Sequence, residues 1–207
     1  AATYGDGSHG FDDDHEKTKL LKPLNAYAQS KQDFDLWALD QKKTPPYWYG
    51  LKFFNVYGPN EYHKARMASV IFHAFHQIQQ TGALKLFKSH RKDFTDGGQQ
   101  RDFIYVKDVH EMCYSIYKQK PASGLYNTGT GKARTFEDLG KASFAALNVP
   151  VNIEYIDMPA DLRDKYQYFT EANMSKWNSA NLPLPATSLE EGVSDYIKNY
   201  LLPGKFL

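Results

Sequence analysis

Apolar residues recur along this chain with two different periods. Met67, Val70, Ile71, Ala74, Phe75 and Ile78 fall at i, i+3, i+4, i+7, i+8 and i+11, the spacing of one helical face. Arg66, Ser69, His73 and Gln77 form a second, polar stripe, which periodicity alone reads as a solvated face. Residues 5–22 are rich in Gly and Asp and read as loop. Pro23 opens a helix to about Lys43, and Pro45-Pro46 closes it. Tyr47 to Val56 reads as one buried strand ended by Gly58-Pro59. Leu84–Phe87, Phe103–Val106, Gly124–Thr128 and Asn152–Ile156 read as further strands. Residues 88–100 read as a polar loop, and Val109 to Tyr117 as a helix. Capping boxes at Thr135–Asp138 and Ser188–Glu191 start two more helices. The last of these turns Leu189, Val193, Tyr196, Ile197, Tyr200 and Leu201 inward. Alternating strands and helices predict an α/β fold with a mostly parallel sheet.

Composition narrows the field. The chain has 207 residues, 42% of them hydrophobic, enough for one or two domains with a real core. A net charge of +1 offers no field to recruit nucleic acid or an acidic membrane. No run is long enough to span a bilayer and no signal peptide is evident, so a soluble cytoplasmic protein is expected. The one cysteine, Cys113, excludes an internal disulfide. Its neighbours Val109, Met112 and Ile116 suggest a buried core thiol.

Three motifs fail on context. Gly5-Asp6-Gly7-Ser8-His9-Gly10 fits a dinucleotide fingerprint, but Asp12-Asp13-Asp14 follows where a phosphate-binding helix should begin. Gly129-Thr130-Gly131-Lys132 lacks the Ser/Thr of a phosphate loop and reads as a turn. His73 and His76, with His63 nearby, have no acidic or thiol ligand at a supporting interval, so no metal is expected.

Tyr27 and Lys31 carry more. One helical turn puts both on one face. An ammonium beside a phenol stabilises its anion and suits it to proton transfer with a sugar hydroxyl or carbonyl. The plain alternative is a surface Tyr/Lys pair.

Four segments together carry a resemblance. They are Ala1–Gly5, Pro23–Lys31, Phe53-Phe54-Asn55-Val56-Tyr57-Gly58-Pro59 and Arg101-Asp102-Phe103-Ile104-Tyr105-Val106-Lys107-Asp108-Val109. In this order they resemble the extended short-chain dehydrogenase/reductases. The run Asn60-Glu61-Tyr62-His63-Lys64 through His73, with Lys85-Leu86-Phe87 and Tyr166–Thr170, is similar to the ADP-L-glycero-D-manno-heptose 6-epimerase family within them.

The resemblance implies the C-terminal part of a Rossmann-like parallel sheet plus a smaller α/β substrate-binding domain. Residues 1–59 and 102–120 would belong to the NADP-binding part, and 60–101 and 121–207 to the substrate domain. Tyr27 would be one acid/base and Lys64 a second on the opposite side of the substrate. Lys31, Val56 and Lys64 would touch NADP. Asn55, Arg66, His73, Phe87, Lys88, Ser89, His90, Arg101 and Tyr166 would hold an ADP-heptose sugar nucleotide. Arg66 departs from the small hydroxyl residue the family offers, and the 88–100 loop is longer than usual. The implied reaction is NADP-dependent epimerisation at C6 of the heptose, a step toward lipopolysaccharide core, by a homo-oligomer. The family's glycine-rich cofactor loop is expected before residue 1, so the chain as it stands is expected not to grip a dinucleotide. Two rivals stay open: another sugar-nucleotide 4-epimerase or 4,6-dehydratase, and a non-catalytic sugar-nucleotide-binding fragment.

Overall fold

The computed structural model describes residues 1–163 and 166–207. Residues Ala2–Tyr4 form a 3-10 turn. The 5–22 loop holds a short helix, α1 (His15–Thr18), because Asp14 accepts the backbone N–H groups of Glu16 and Lys17. Helix α2 spans Ala26–Asp40. It starts three residues after Pro23, where the Asn25 side chain accepts from Ala28.

The apolar run at 47–56 is two strands, β1 (Tyr49–Phe53) and β2 (Asn55–Tyr57). They part at Phe54 because each serves a different partner. β1 lies parallel to β5 (Gly124–Thr128), and β2 parallel to β4 (Gln100–Tyr105). Gly58 then turns the chain at φ 140°, where a Cβ would meet Val106 Cγ1 at 2.5 Å. A 3-10 segment, Tyr62–Met67, precedes α3 (Val70–Thr81). β3 (Leu84–Phe87) pairs in parallel with β7 (Ile153–Ile156). α4 (Val106–Gln119) follows β4 directly. β6 (Ala133–Thr135) pairs with β4 antiparallel and leads into α5 (Phe136–Leu147). Two short helices, α6 (Ala160–Arg163) and α7 (Ser175–Ser179), come before α8 (Leu189–Tyr196), which ends in a π turn at Ile197–Leu201.

The core has two centres. One packs Ile71 and Phe75 of α3, Leu139 and Phe144 of α5, and Val193 and Tyr196 of α8. The other packs Tyr4, Phe54, Ile104, Met112, Tyr126 and Trp177. This mixed α/β arrangement with parallel pairs agrees with the predicted fold class. Among the described residues, no helix is long and apolar enough to cross a membrane.

Two further sequence expectations need correction. Met67 lies outside α3 and is 79% exposed, because the chain turns sharply at Ala65 and α3 starts only at its Ser69 cap. Cys113 is exposed, not buried: α4 turns Val109, Met112 and Ile116 inward, and Cys113 falls to the side of that face.

Candidate functional site

A cleft of about 400 Å³ opens between α2, β2 and the segment leading to α3. Tyr27, Asn55, Val56, Lys64 and Ser69 line it, with Phe103 at its floor. Each arrives from a different local cause. α2 turns Ala28 and Gln32 into the protein, which leaves Tyr27 beside them 66% exposed at the cleft. Lys31, one turn on, holds its ammonium 5.5 Å from the centre of the Tyr27 ring. Asn55 and Val56 are half-buried on the short strand β2. Lys64 is exposed on the 3-10 segment, and its backbone N–H donates to Glu61 O at 2.9 Å.

That segment is tightly built. Glu61 is only 3% exposed. Its carboxylate accepts the Gly58 N–H at 3.1 Å and also the Ser69 N–H. Ser69 in turn caps α3 by accepting from Phe72 at 3.3 Å. Ala65, next to Lys64, sits at φ 47° and ψ −127°, a region that favours glycine.

A second group forms around Arg101, which β4 holds buried. Its guanidinium lies 5.6 Å from the Phe136 ring and 5.2 Å from the Tyr166 ring. Its Nη1 donates to the Gln100 carbonyl at 2.8 Å, and among the described residues no carboxylate pairs with it. Burial lowers its pKa from the ordinary value. Burial likewise raises the Tyr166 phenol, offset in part by the Arg101 charge. Tyr166 meets Phe87 edge-on at 6.3 Å and Tyr168 at 5.6 Å. The Tyr168 hydroxyl accepts the His90 N–H at 3.0 Å, which pins the polar loop to this group. Within that loop the Ser89 hydroxyl donates to Arg91 O at 2.8 Å, and Lys88 faces Asp157 at 3.5 Å.

β4 joins the two groups. Arg101 and Phe103 are two residues apart on one strand, so they share a face about 7 Å apart. Phe136 lies against both, 5.6 Å from the Phe103 ring and 5.6 Å from the Arg101 guanidinium. Buried Phe103 and half-buried Phe136 thus pack the cleft, with its phenol and ammonium, against the ring-lined guanidinium. A phenol and an ammonium suit a reactive carbinol, and a guanidinium between rings suits a ring plus an anion.

Arg66 and His73 stand apart from this grouping. Both are exposed and outside the residues lining the cleft, and the His73 ring lies 5.7 Å from Phe72, edge-on. The polar stripe does not run unbroken from Arg66, because Arg66 is on the 3-10 segment and His73 is on α3.

Sequence reasoning gave no role to Glu61 or Asp102. Asp102 is fully buried. It accepts from Thr130 N and Oγ1 at 2.7 Å, Gly131 N at 2.9 Å and Ala172 N at 3.0 Å. It thereby shapes the 129–132 turn, which holds no phosphate-loop helix. The only signal in the sequence is that each lies inside a segment quoted for the resemblance.

Comparisons with known proteins now bear on this surface. Residues 1–129 match the NAD dependent epimerase/dehydratase family. The chain is 50% identical over 209 residues to an ADP-L-glycero-D-manno-heptose-6-epimerase of Fusobacterium nucleatum, covering 97% of this chain and 63% of the relative. It is 54% identical to a protein of the same name from Nitratidesulfovibrio vulgaris, covering 97% and 62%. The chain thus spans less than two-thirds of the length of these curated relatives. Among solved structures, the Helicobacter pylori ADP-L-glycero-D-manno-heptose-6-epimerase superposes with a TM-score of 0.70 at 28% identity. That match covers 86% of this chain and 51% of the other.

Proposed function

The chain belongs to the NAD dependent epimerase/dehydratase family, and we propose that it carries the proton-transfer and substrate face of an ADP-heptose 6-epimerase. The observation that carries this reading is one cleft lined by both Tyr27 and Lys64, brought there by unrelated elements. Identity of 50–54% to relatives named for that activity supports the substrate class.

In this reading the product differs from the substrate only at C6, a carbinol outside the sugar ring. Inverting it requires loss of the C6 hydrogen and its return to the opposite face. What a bound nicotinamide dinucleotide, here proposed as NADP, supplies is reversible hydride acceptance. The exposed Tyr27 and Lys31 on one face of α2, with Val56 half-buried across the cleft, fit its nicotinamide and ribose end. Tyr27 takes the hydroxyl proton from one orientation of C6. The resulting aldehyde turns about its bond to the ring. Lys64 then gives a proton to the oxygen in the other orientation. Asn55 holds the sugar, and Phe87, Lys88, Ser89, His90, Arg101 and Tyr166 hold the nucleotide end. A buried guanidinium between two rings suits an adenine and its phosphates. Arg66 on the 3-10 segment and His73 on α3 are proposed as further substrate contacts beyond the cleft.

The domain division belongs to this reading. Residues 1–59 and 102–120 form the dinucleotide side, and 60–101 and 121–207 the substrate side, with the β1–β5 pairing crossing between them. We also place the protein in the cytoplasm, as a homo-oligomer, within lipopolysaccharide core synthesis. The exposed Phe34 and Trp37, 5.5 Å apart on α2, suit a covered face.

The test is substitution in the native polypeptide. Tyr27→Phe is expected to slow conversion of ADP-D-glycero-D-manno-heptose at least about 100-fold. Near-normal epimerisation would sink the assignment.

A further inference from the structure

We propose that Glu61 is the positioning residue for Lys64. Its buried carboxylate ties the two ends of the 58–69 segment together and fixes the direction from which Lys64 enters the cleft. The inference rests on the reading of Lys64 as the second acid/base.

Lys64 is exposed on a 3-10 segment whose residues Lys64 to Met67 are all exposed. Nothing in that stretch packs it down. Two side chains at its start anchor it: Tyr62, whose hydroxyl donates to Tyr200 O and Lys205 O at 2.9 Å, and Glu61, which alone reaches both ends. One Glu61 oxygen accepts the N–H of Gly58, just after β2, and the other accepts the N–H of Ser69, just before α3. Gly58 is closely packed: a Cβ there would meet Val106 Cγ1 at 2.5 Å and Tyr105 Cε2 at 3.0 Å. Ser69 is held by its own cap on α3. The Glu61 carbonyl also accepts the Lys64 N–H at 2.9 Å, so the same residue fixes the Lys64 backbone.

Strain makes the same point. Ala65 adopts φ 47°, which an alanine holds only where its surroundings over-determine the backbone. The surroundings here are the Tyr62 anchor on one side and the two ends clasped by Glu61. Without the clasp, Ala65 relaxes toward an ordinary conformation, and the Lys64 side chain swings with it. A proton donor displaced by about 1 Å loses on the order of 100-fold in rate, while binding made elsewhere on the surface persists.

A double-mutant cycle in the native polypeptide tests this, with ADP-D-glycero-D-manno-heptose as substrate. Glu61→Gln keeps the shape but turns an NH₂ group toward one of the two N–H donors. It is expected to lower kcat about 10- to 100-fold with KM within about twofold. In a Lys64→Met background the same change is expected to lower kcat no further, because there is no ammonium left to misplace. Glu61→Asp keeps the charge but is one methylene short of spanning both donors. It is expected to show the same split, and it decides the matter if Glu61→Gln does not fold. Native kcat in a folded Glu61 variant, a loss confined to KM, or an equal loss with and without Lys64 overturns the proposal. Native kcat in Lys64→Met alone overturns the reading of Lys64 itself, and the proposal with it. A strong Lys64→Met effect beside an additive Glu61 effect overturns the positioning role only.

Discussion

At the residue scale, the site depends on side chains that local sequence treats very differently. Tyr27 and Lys31 are legible because one helical turn relates them, and α2 keeps that relation at 5.5 Å from ring to ammonium. Lys64 is legible only through resemblance, since it sits in an irregular segment with no period to read. Glu61 is legible only as a member of a segment that carries the resemblance, and its role is not. Its role depends on the Gly58 and Ser69 amides lying near each other, which is a property of the folded chain. Two outcomes follow here. Lys64→Met is expected to cut kcat as strongly as Tyr27→Phe does. A change confined to KM would make Lys64 a binding residue instead. Ala65→Gly is expected to raise stability by about 1 kcal/mol in thermal unfolding, because glycine takes φ 47° without a Cβ clash. An unchanged or lower melting temperature would show that Ala65 is not strained.

At the element scale, the helical faces were the easiest part to read. α3 buries Ile71, Ala74, Phe75 and Ile78 as the spacing requires, and α8 buries Leu189, Val193 and Tyr196. Both capping boxes form. The 47–56 run was misread as one strand because both halves are apolar and only their partners, β5 and β4, divide them. Asp102 joins the β4–β6 pair to the 129–132 turn and the 170–172 segment. Burial pushes its carboxyl above the usual range, and its Thr130, Ala172 and Gly131 donors offset that. Asp102→Ala strands those buried N–H groups and is expected to cost about 3 kcal/mol, read by denaturant unfolding. A cost below about 1 kcal/mol would mean that water replaces it.

Between β6 and α8, Arg134 donates to Glu190 at 2.6 Å and holds its carboxyl below the ordinary value of 4.5. A depressed carboxylate stabilises the fold above its unfolded pKa, and that contribution is lost as pH falls through the lower folded value. Glu190 is half-exposed, so Glu190→Gln is expected to cost no more than about 1 kcal/mol at pH 7. The difference should vanish in acid below the folded pKa. A difference that grows in acid would contradict the assignment of the pair.

At the scale of the whole molecule, the α/β class and the parallel pairing were readable from alternating periods. The packing of the Tyr27 cleft against the Arg101 group was not. It runs through Phe103 and Phe136, and no sequence spacing relates 27, 101, 136 and 166. The domain division drawn from resemblance is likewise crossed by the β1–β5 pairing, which periodicity does not reveal. The central claim is that this surface serves inversion at C6 of an ADP-heptose. The most direct test incubates the native polypeptide with NADP and ADP-D-glycero-D-manno-heptose and follows the C6 proton by NMR. The account predicts a mixture approaching equilibrium with the L-glycero epimer. An unchanged heptose, beside inversion at C4 of a UDP-hexose offered to the same protein, would contradict it.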